Sequence, residues 1–512
     1  MRTLTFAFAL LMGAAMSFPS VLVAEVKLAA IFSNHMVLQR DKPVPVWGWA
    51  DAGAKVTVAF GDQKKSVTAD KTGKWTVKLD PLEATETPQT LQVGSNRHDR
   101  LVKVTDVLVG EVWLGSGQSN MAMTVSRALD FESEKANADY PQIRMFKESS
   151  GGAAKPQADA KGGWVICSPK SVGSFSATLY FFGRELHRKL DVPIGLINSS
   201  VGGTPIESWV AADAQANVAE LKESHAAAVK AYESFDVAKA QAQYEKALAQ
   251  WKTRATKAKA DGKKVPRRPT NLAERHQRRS GPGGLFNGKI APLIPYAIRG
   301  AIWYQGEANS HAEKGSLYQY QLPLLVEDWR ERWGEEFPFA WVQLPNYERA
   351  GEGWMLVREG MLKSLRLPKT GMAITVDIGE ANDIHPRNKQ DVGRRLAFWA
   401  LGDVYDFDIV TSGPVPSGHE IKNGEVIVSF RHVGDGLRAK SGELKGFVIA
   451  GTDGQWKPAT AKIRDNVVVV SHPEISSPVA VRYAWKANPD GNLTNSAGLP
   501  ASPFRISDDH AE

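Results

Sequence analysis

One serine stands in a glycine-rich turn directly after a short apolar run. The run from Val112 to Leu114 is typical of a buried strand, and Gly115 and Gly117 let the backbone turn sharply after it. A serine at such a corner exposes its hydroxyl and can turn its own N–H towards a developing oxyanion. Because Gly-Ser-Gly turns are common, the interpretation of Ser119 as a nucleophile depends on the rest of the chain.

Three later loops carry the other groups that acyl transfer needs, and each follows a predicted strand. The Gly202-Gly203 turn offers backbone N–H groups, Gln305 offers a side-chain amide, and Asp383 and His385 offer a carboxylate and a base. In an open parallel sheet, loops at the carboxyl ends of the strands meet at one crevice. A serine needs an imidazole to accept its proton, an anion to orient that imidazole, and fixed donors for the oxyanion. The four loops could supply all of these groups.

These loops resemble the signature blocks of the sialate O-acetylesterase family, carbohydrate acetylesterases of the SGNH hydrolase superfamily. The similarity extends to an N-terminal β region and to the C-terminus, so it covers roughly the whole mature chain except for residues 211–285. The similar stretches are Met36 to Arg40, Gly117 to Asn120, Gly202 to Thr204, Trp303 to Asn309, Asp383 to Pro386, Asn492 to Leu493 and Gly498 to Arg505.

The resemblance implies a role for each of these residues. Ser119 would be the nucleophile, His385 the general base and Asp383 the acid that orients His385. The oxyanion hole would consist of the N–H of Ser119, the N–H of Gly202 and the side chain of Gln305.

For two of the three oxyanion donors, a nearby residue could supply the hydrogen bond instead. Gly203 is the alternative to Gly202, and Asn309 is the alternative to Gln305. One interpretation of Glu307 is that it only positions Gln305 through a hydrogen bond.

The spacing of the acid departs from the wider superfamily. Its usual D-x-x-H pattern would place the acid at position 382, which is Asn382 here, whereas Asp383 lies two residues before His385. This matches the D-I-H-P form that we associate with the family. Asp377 or Glu380 could orient the histidine instead, so Asp383 is a hypothesis.

The periodicity of the sequence predicts an α/β fold with β domains on both sides. Short alternating runs in residues 25–106 predict an N-terminal β-sandwich, and strands return in a C-terminal β domain at 403–512. Between them, alternating strands and helices predict a parallel sheet in a catalytic domain at 107–402. By resemblance this domain is SGNH-hydrolase-like, with three layers. Residues 211–285 interrupt it and predict a helical insertion.

The N-terminus predicts where the protein works. Residues 1–24 combine Arg2, an apolar run and a small residue at Ala24, which is typical of a cleaved signal peptide. The mature protein is therefore expected in a periplasm or outside the cell. Cys167 is the only cysteine, and its apolar neighbours predict a buried strand residue.

Charge and motifs argue against several other classes of function. The chain has a formal net charge of +7, and residues 211–285 hold 15 basic and eight acidic residues, so the excess lies in one segment. Without interleaved aromatic residues this favours a solvated helical face over nucleic-acid binding. No H-E-x-x-H pattern, clustered His and Cys or phosphate-cradle spacing occurs, so we expect neither a metal nor another cofactor.

The sequence thus predicts a secreted serine esterase that removes acetyl groups from a carbohydrate. The family name favours acetylated sialic acid, while relatives also act on xylan and xyloglucan, and the sequence does not choose between them. A glycan-binding protein without activity is the rival from another class. A lipase or thioesterase would need an apolar channel for a longer acyl chain.

Overall fold

The computed structural model describes residues 25–507, so the predicted signal peptide at 1–24 lies outside the described residues. Most strands of the N-terminal part pair antiparallel, with buried and more exposed side chains alternating, as around Val56, Val58 and Phe60. The strand Val37–Gln39 instead pairs parallel with residues 108–110. One sheet has the order β1-β3-β6, and β4, β5 and β7 belong to a second. The strands are β1 (Lys27–Leu28), β2 (Val37–Gln39), β3 (Val44–Trp49), β4 (Lys55–Phe60), β5 (Gln63–Thr68), β6 (Lys74–Leu79), β7 (Thr85–Ser95) and β8 (His98–Gly117).

The last of these strands joins the N-terminal part to the centre of the molecule. The first half of β8 pairs antiparallel with β7, and its second half is a central strand of the parallel sheet. The predicted domain boundary at 106/107 therefore falls inside one continuous strand. Buried residues of both parts also belong to the same hydrophobic core.

The central sheet has the order β10-β9-β11-β8-β12-β13-β14, in which β10 is antiparallel and the others are parallel. Its strands are β9 (Tyr140–Lys147), β10 (Trp164–Cys167), β11 (Ile194–Ser200), β12 (Gly300–Tyr304), β13 (Phe339–Val342) and β14 (Thr370–Ala373). Cys167 is buried on β10, and burial raises the pKa of its thiol to about 12, as expected for a structural cysteine.

Helices cover both faces of this sheet. Helices α3 and α11 pack together on one face, while α9 and α10 share the other with the N-terminal core. The helices are α1 (Ser119–Ala122), α2 (Phe131–Ala136), α3 (Ala177–Leu190), α4 (Ala212–Ala216), α5 (Lys222–Glu233), α6 (Val237–Ala260), α7 (Leu272–Arg279), α8 (Ala312–Gly315), α9 (Tyr318–Trp333), α10 (Glu352–Lys363) and α11 (Lys389–Asp403). The predicted insertion contains α4 to α7.

The C-terminal part consists of antiparallel strands around a core of its own. Two four-stranded sheets have the orders β15-β16-β21-β20 and β19-β18-β22-β24, and β17 pairs with β23. The strands are β15 (Val415–Lys422), β16 (Glu425–Arg431), β17 (Leu437–Ala439), β18 (Phe447–Gly451), β19 (Trp456–Pro458), β20 (Thr460–Arg464), β21 (Val467–Ser471), β22 (Pro478–Tyr483), β23 (Leu493–Asn495) and β24 (Phe504–Ser507). Within residues 25–507, none of the helices has the length and apolar character that crossing a bilayer requires.

Candidate active site

Three adjacent strands end at the same level and place their following loops side by side. Gly117 at the end of β8 is in register with Ser200 of β11 and with Tyr304 of β12. Gly117 has a φ of 134°, and a Cβ on it would lie 2.2 Å from the Tyr304 carbonyl oxygen. Only glycine fits this turn, which directs the chain away from the sheet and into α1 at Ser119.

Ser119 and His385 meet although 266 residues separate them in sequence. His385 Nε2 lies 2.8 Å from Ser119 Oγ. The loop after β14 is held in place beneath this contact, because Asn120 Nδ2 donates to the Ile384 carbonyl at 3.0 Å. Burial lowers the pKa of His385 below its ordinary value of 6.5, so the imidazole is neutral at pH 7 and can accept the serine proton.

Asp383 lies beside His385 but holds it loosely. Its Oδ1 accepts a hydrogen bond from the His385 backbone N–H at 2.9 Å and lies 3.7 Å from His385 Nδ1. The side chain of Asp383 is 58% exposed. The two alternatives are engaged elsewhere, since Asp377 forms a two-point ion pair with Arg395 and Glu380 pairs with Arg387. Of the three carboxylates, Asp383 is the one whose charge raises the pKa of His385.

Two backbone N–H groups next to the serine are free to bind an oxyanion. Gly202 lies against Ser119, since a Cβ on Gly202 would be 3.5 Å from the Ser119 Cβ. Within residues 25–507, the N–H groups of Ser119 and Gly202 have no hydrogen-bond acceptor. Both residues line one open cavity. These are the two backbone donors that the resemblance names, and their role in an oxyanion hole stays a prediction.

The position of the Gln305 side chain does not fit its predicted role as an oxyanion donor. It is fully buried and does not line the cavity, because its amide nitrogen donates to Gln118 Oε1, the Thr204 carbonyl and Asn309 Oδ1. Gln118 stands between Gln305 and the cavity and also accepts from the Ala308 N–H at 3.2 Å. The amide N–H groups of Gln305 are thus already hydrogen-bonded to the loops around the site, which they hold together. Asn309, the alternative donor, is also buried away from the cavity.

A buried polar network lies below Ser119 and has no counterpart in the sequence predictions. Lys389 Nζ donates to Asn120 Oδ1 at 2.7 Å, and Asn120 Nδ2 donates to Glu307. Burial lowers the pKa of Lys389 to about 7 and raises the pKa of Glu307. Glu307 therefore bonds to Asn120 and not, as interpreted from the sequence, to Gln305. Asn120 belongs to the serine motif, whereas Lys389 has no motif that could have indicated it.

The cavity above Ser119 has a volume of about 950 Å³ and reaches the helical insertion. Its wall on that side contains Arg267, Arg275 and Arg279, with Glu274 between them. The sequence predicts a solvated helical face for this basic segment. Four of its arginines, these three and Arg278, line the cavity that contains the serine.

Comparison with known proteins shows the family of this chain. A family model described as carbohydrate esterase, sialic acid-specific acetylesterase, matches residues 109–259 and 288–401. The chain belongs to this family. It is therefore a carboxylic ester hydrolase of the carbohydrate esterase type, as the sequence predicts. The match continues to residue 259 and so includes part of the predicted insertion, while residues 260–287 lie outside it.

Relatives of this carbohydrate esterase match almost its whole length. Sialate O-acetylesterase from Rattus norvegicus is 29% identical, with 93% of this chain and 94% of the relative covered. Sialate O-acetylesterase from Homo sapiens is 28% identical, with 93% and 92% covered. The crystal structure of a carbohydrate acetylesterase from Xanthomonas citri is 35% identical and superposes with a TM-score of 0.79, covering 94% of this chain and 99% of that one.

Proposed function

We propose that this carbohydrate esterase is a secreted serine esterase that removes O-acetyl groups from a glycan through an acetyl-enzyme. The observation that carries the proposal is the 2.8 Å contact between Ser119 Oγ and His385 Nε2 beside two unpaired backbone N–H groups. A nucleophile, a neutral base and oxyanion donors then face one cavity. Binding a glycan without hydrolysis would need none of these groups.

In the first half of the reaction, Ser119 Oγ attacks the acetyl carbonyl carbon while His385 Nε2 takes the hydroxyl proton. The carbonyl oxygen becomes an oxyanion and accepts hydrogen bonds from the N–H groups of Ser119 and Gly202. When the tetrahedral intermediate collapses, the bond to the sugar oxygen breaks. His385 returns its proton to that oxygen, and an acetyl group remains on Ser119.

In the second half, water enters from the open cavity. His385 Nε2 takes a proton from the water as the water oxygen attacks the acetyl carbon, and the same two N–H groups hold the oxyanion. Collapse breaks the bond to Ser119 Oγ, which regains a proton from His385, and acetate leaves. Asp383 stabilises the imidazolium that forms in both halves, because its carboxylate lies on the Nδ1 side of the ring.

The proposed substrate is an acetylated sialic acid. The family description and the names of the relatives favour it, and Arg267 and Lys314 on the cavity wall give the carboxylate of such a sugar a cationic partner. A neutral plant polysaccharide such as xyloglucan or xylan is the alternative, because the relative with a solved structure is described only as a carbohydrate acetylesterase.

The proposal extends to the organisation of the chain. Residues 107–402 would form an SGNH-hydrolase-like catalytic unit with the helical insertion at 211–285, and residues 403–512 a C-terminal β domain. Residues 1–24 would be removed on export, so that the esterase acts in the periplasm or outside the cell.

The test is acetate release from acetylated sialic acid and from acetylated xyloglucan oligosaccharides. Ser119→Ala should lose activity by several powers of ten, as subtilisin does without its serine. Ser126→Ala, which removes an exposed hydroxyl nearby, is the control and should keep full activity. If the wild type binds either glycan but releases no acetate, the protein is a glycan-binding protein. A preference for longer acyl chains would instead indicate a lipase or thioesterase.

A further inference from the structure

The loop that provides the Gly202 N–H has little stiffness of its own. It contains two consecutive glycines, and Gly203 has a φ of 64°. Glycine has the widest conformational freedom of any residue, so either peptide of this pair can rotate unless something holds it. An oxyanion donor is effective only when its direction is fixed before the reaction.

Every carbonyl of this loop accepts a hydrogen bond, and each bond fixes the peptide plane to which it belongs. Thr204 Oγ1 donates to the Val201 carbonyl at 2.7 Å, which fixes the plane that contains the Gly202 N–H. The next two carbonyls are bound from outside the loop. Arg279 donates to Gly202 O at 3.2 Å and to Gly203 O at 2.5 Å, and Arg275 donates to Gly203 O at 3.1 Å.

These two guanidinium groups have no carboxylate partner of their own. Among the residues that the structure describes, neither Arg275 nor Arg279 forms an ion pair, whereas their neighbour Arg278 pairs with Glu274. Burial, with Arg275 close by, lowers the pKa of Arg279 to about 10, which remains fully protonated at neutral pH. Two cations are therefore bonded to the carbonyl side of the oxyanion loop.

Helix α7, which carries both arginines, is anchored by ring stacking. The imidazole of His276 lies between the rings of Tyr232 and Phe235, with centroid distances of 4.2 and 4.4 Å. The side chain of Asn271 caps the start of the helix by accepting from the Glu274 N–H. The helix is thus seated on α5 and on the turn after it, and the arginines extend from it towards Ser119.

We propose that Arg275 and Arg279 are positioning residues. By binding the Gly202 and Gly203 carbonyls they fix the two peptides that follow the Gly202 N–H and so keep the loop in the orientation that the oxyanion hole needs. The inference rests on the proposed function, because it assumes that Gly202 stabilises an oxyanion beside Ser119. Both arginines lie in residues 260–287, the stretch outside the family match. This segment therefore supports catalysis in this chain through contacts with the backbone of the oxyanion loop.

The test compares Arg279→Met with Arg254→Met on para-nitrophenyl acetate and on the preferred acetylated glycan. The nitrophenyl ester is small and neutral, so it isolates loop positioning from any contact between the arginine and a sugar. Arg279→Met should lower kcat for both substrates roughly 10- to 100-fold while KM for the nitrophenyl ester stays within about twofold. Arg254→Met removes an exposed arginine of α6, in the same insertion but away from the cavity, and should leave both constants unchanged.

A conservative variant separates positioning from folding. Arg279→Lys keeps the charge and can bond to one carbonyl, so it should recover part of kcat, and circular dichroism should show the same helix content in all three variants. The inference is overturned if Arg279→Met keeps wild-type kcat on the nitrophenyl ester, or if only KM for the glycan rises. Activity that survives Ser119→Ala would instead overturn the proposed function.

Discussion

Two opposing effects set the pKa of His385. Burial favours the neutral imidazole, and the nearby carboxylate of Asp383 favours the cation. The carboxylate is 3.7 Å from Nδ1 and largely exposed, so solvent weakens its hold. The residue that orients the base is therefore expected to contribute less here than a fully buried aspartate does in other serine hydrolases.

The pH dependence of kcat/KM tests this balance. Activity requires neutral His385, so kcat/KM should rise with pH and level off, with a midpoint below 6.5 because burial lowers the pKa of His385. Asp383→Asn removes the charge that raises this pKa, so its midpoint should move to still lower pH. Its plateau should fall roughly 10- to 100-fold, less than the ~10,000-fold loss known for a buried triad aspartate.

Asp377→Asn is the comparison for this experiment, because Asp377 is an acid on the same loop that pairs with Arg395 instead. Its midpoint should match that of the wild type. A shift with Asp377→Asn and none with Asp383→Asn would show that the orienting acid has been misassigned.

At the scale of single elements, helix α11 contributes a buried amino group beneath the serine. Lys389 at its first position is fully buried, donates to Asn120 Oδ1 and lies 4.8 Å from the centre of the Tyr304 ring. Lys389→Met should lower the free energy of unfolding by about 2 kcal/mol, because the Asn120 oxygen is left buried without a donor. It should also lower kcat, since Asn120 adjoins Ser119.

Urea unfolding followed by tryptophan fluorescence measures the first effect, and acetate release measures the second. Lys257→Met removes an exposed helical lysine and should change neither. If Lys389→Met unfolds at the same urea concentration as the wild type, the network is not a source of stability.

The elements that the sequence predicted well are those with a local signal. The alternation of strands and helices predicted the parallel central sheet, and the glycines around Ser119 marked its turn. The positions of Gln305, Lys389 and Arg279 depend on which distant segments pack around them. No local sequence pattern shows which segments these are. The boundary predicted at 106/107 falls inside β8, because the alternating and the parallel parts of β8 are one strand with two sets of partners.

At the scale of the whole molecule, one arginine connects the catalytic part to the C-terminal strands. Arg358 of α10 is fully buried, and its guanidinium donates to backbone carbonyls on the two sides of this junction. Burial lowers its pKa to about 9. The four carbonyls are those of Leu344, Pro345, Lys486 and Ala487, at 2.7 to 3.3 Å.

Arg358→Met should therefore destabilise the protein as a whole. The carbonyls of Leu344 and Lys486 lose their donor, whereas those of Pro345 and Ala487 keep the Trp354 side chain and the Tyr347 N–H. The loss should cost about 3 kcal/mol of unfolding free energy. Thermal unfolding measures the loss, and Arg366→Met, at an exposed position just after the same helix, is the control. Equal unfolding temperatures for the two variants would contradict a role of Arg358 at this junction.

The continuous course of β8 also bears on how such a chain can be inherited. A recombination event at 106/107 would join half of one strand to half of another, and the serine at its end would be displaced with any change in register. We expect the N-terminal sheet and the catalytic serine to descend together among relatives. The connection between Asp403 and Val415, which contains neither helix nor strand, is where one ancestor's C-terminal strands could have been exchanged for another's.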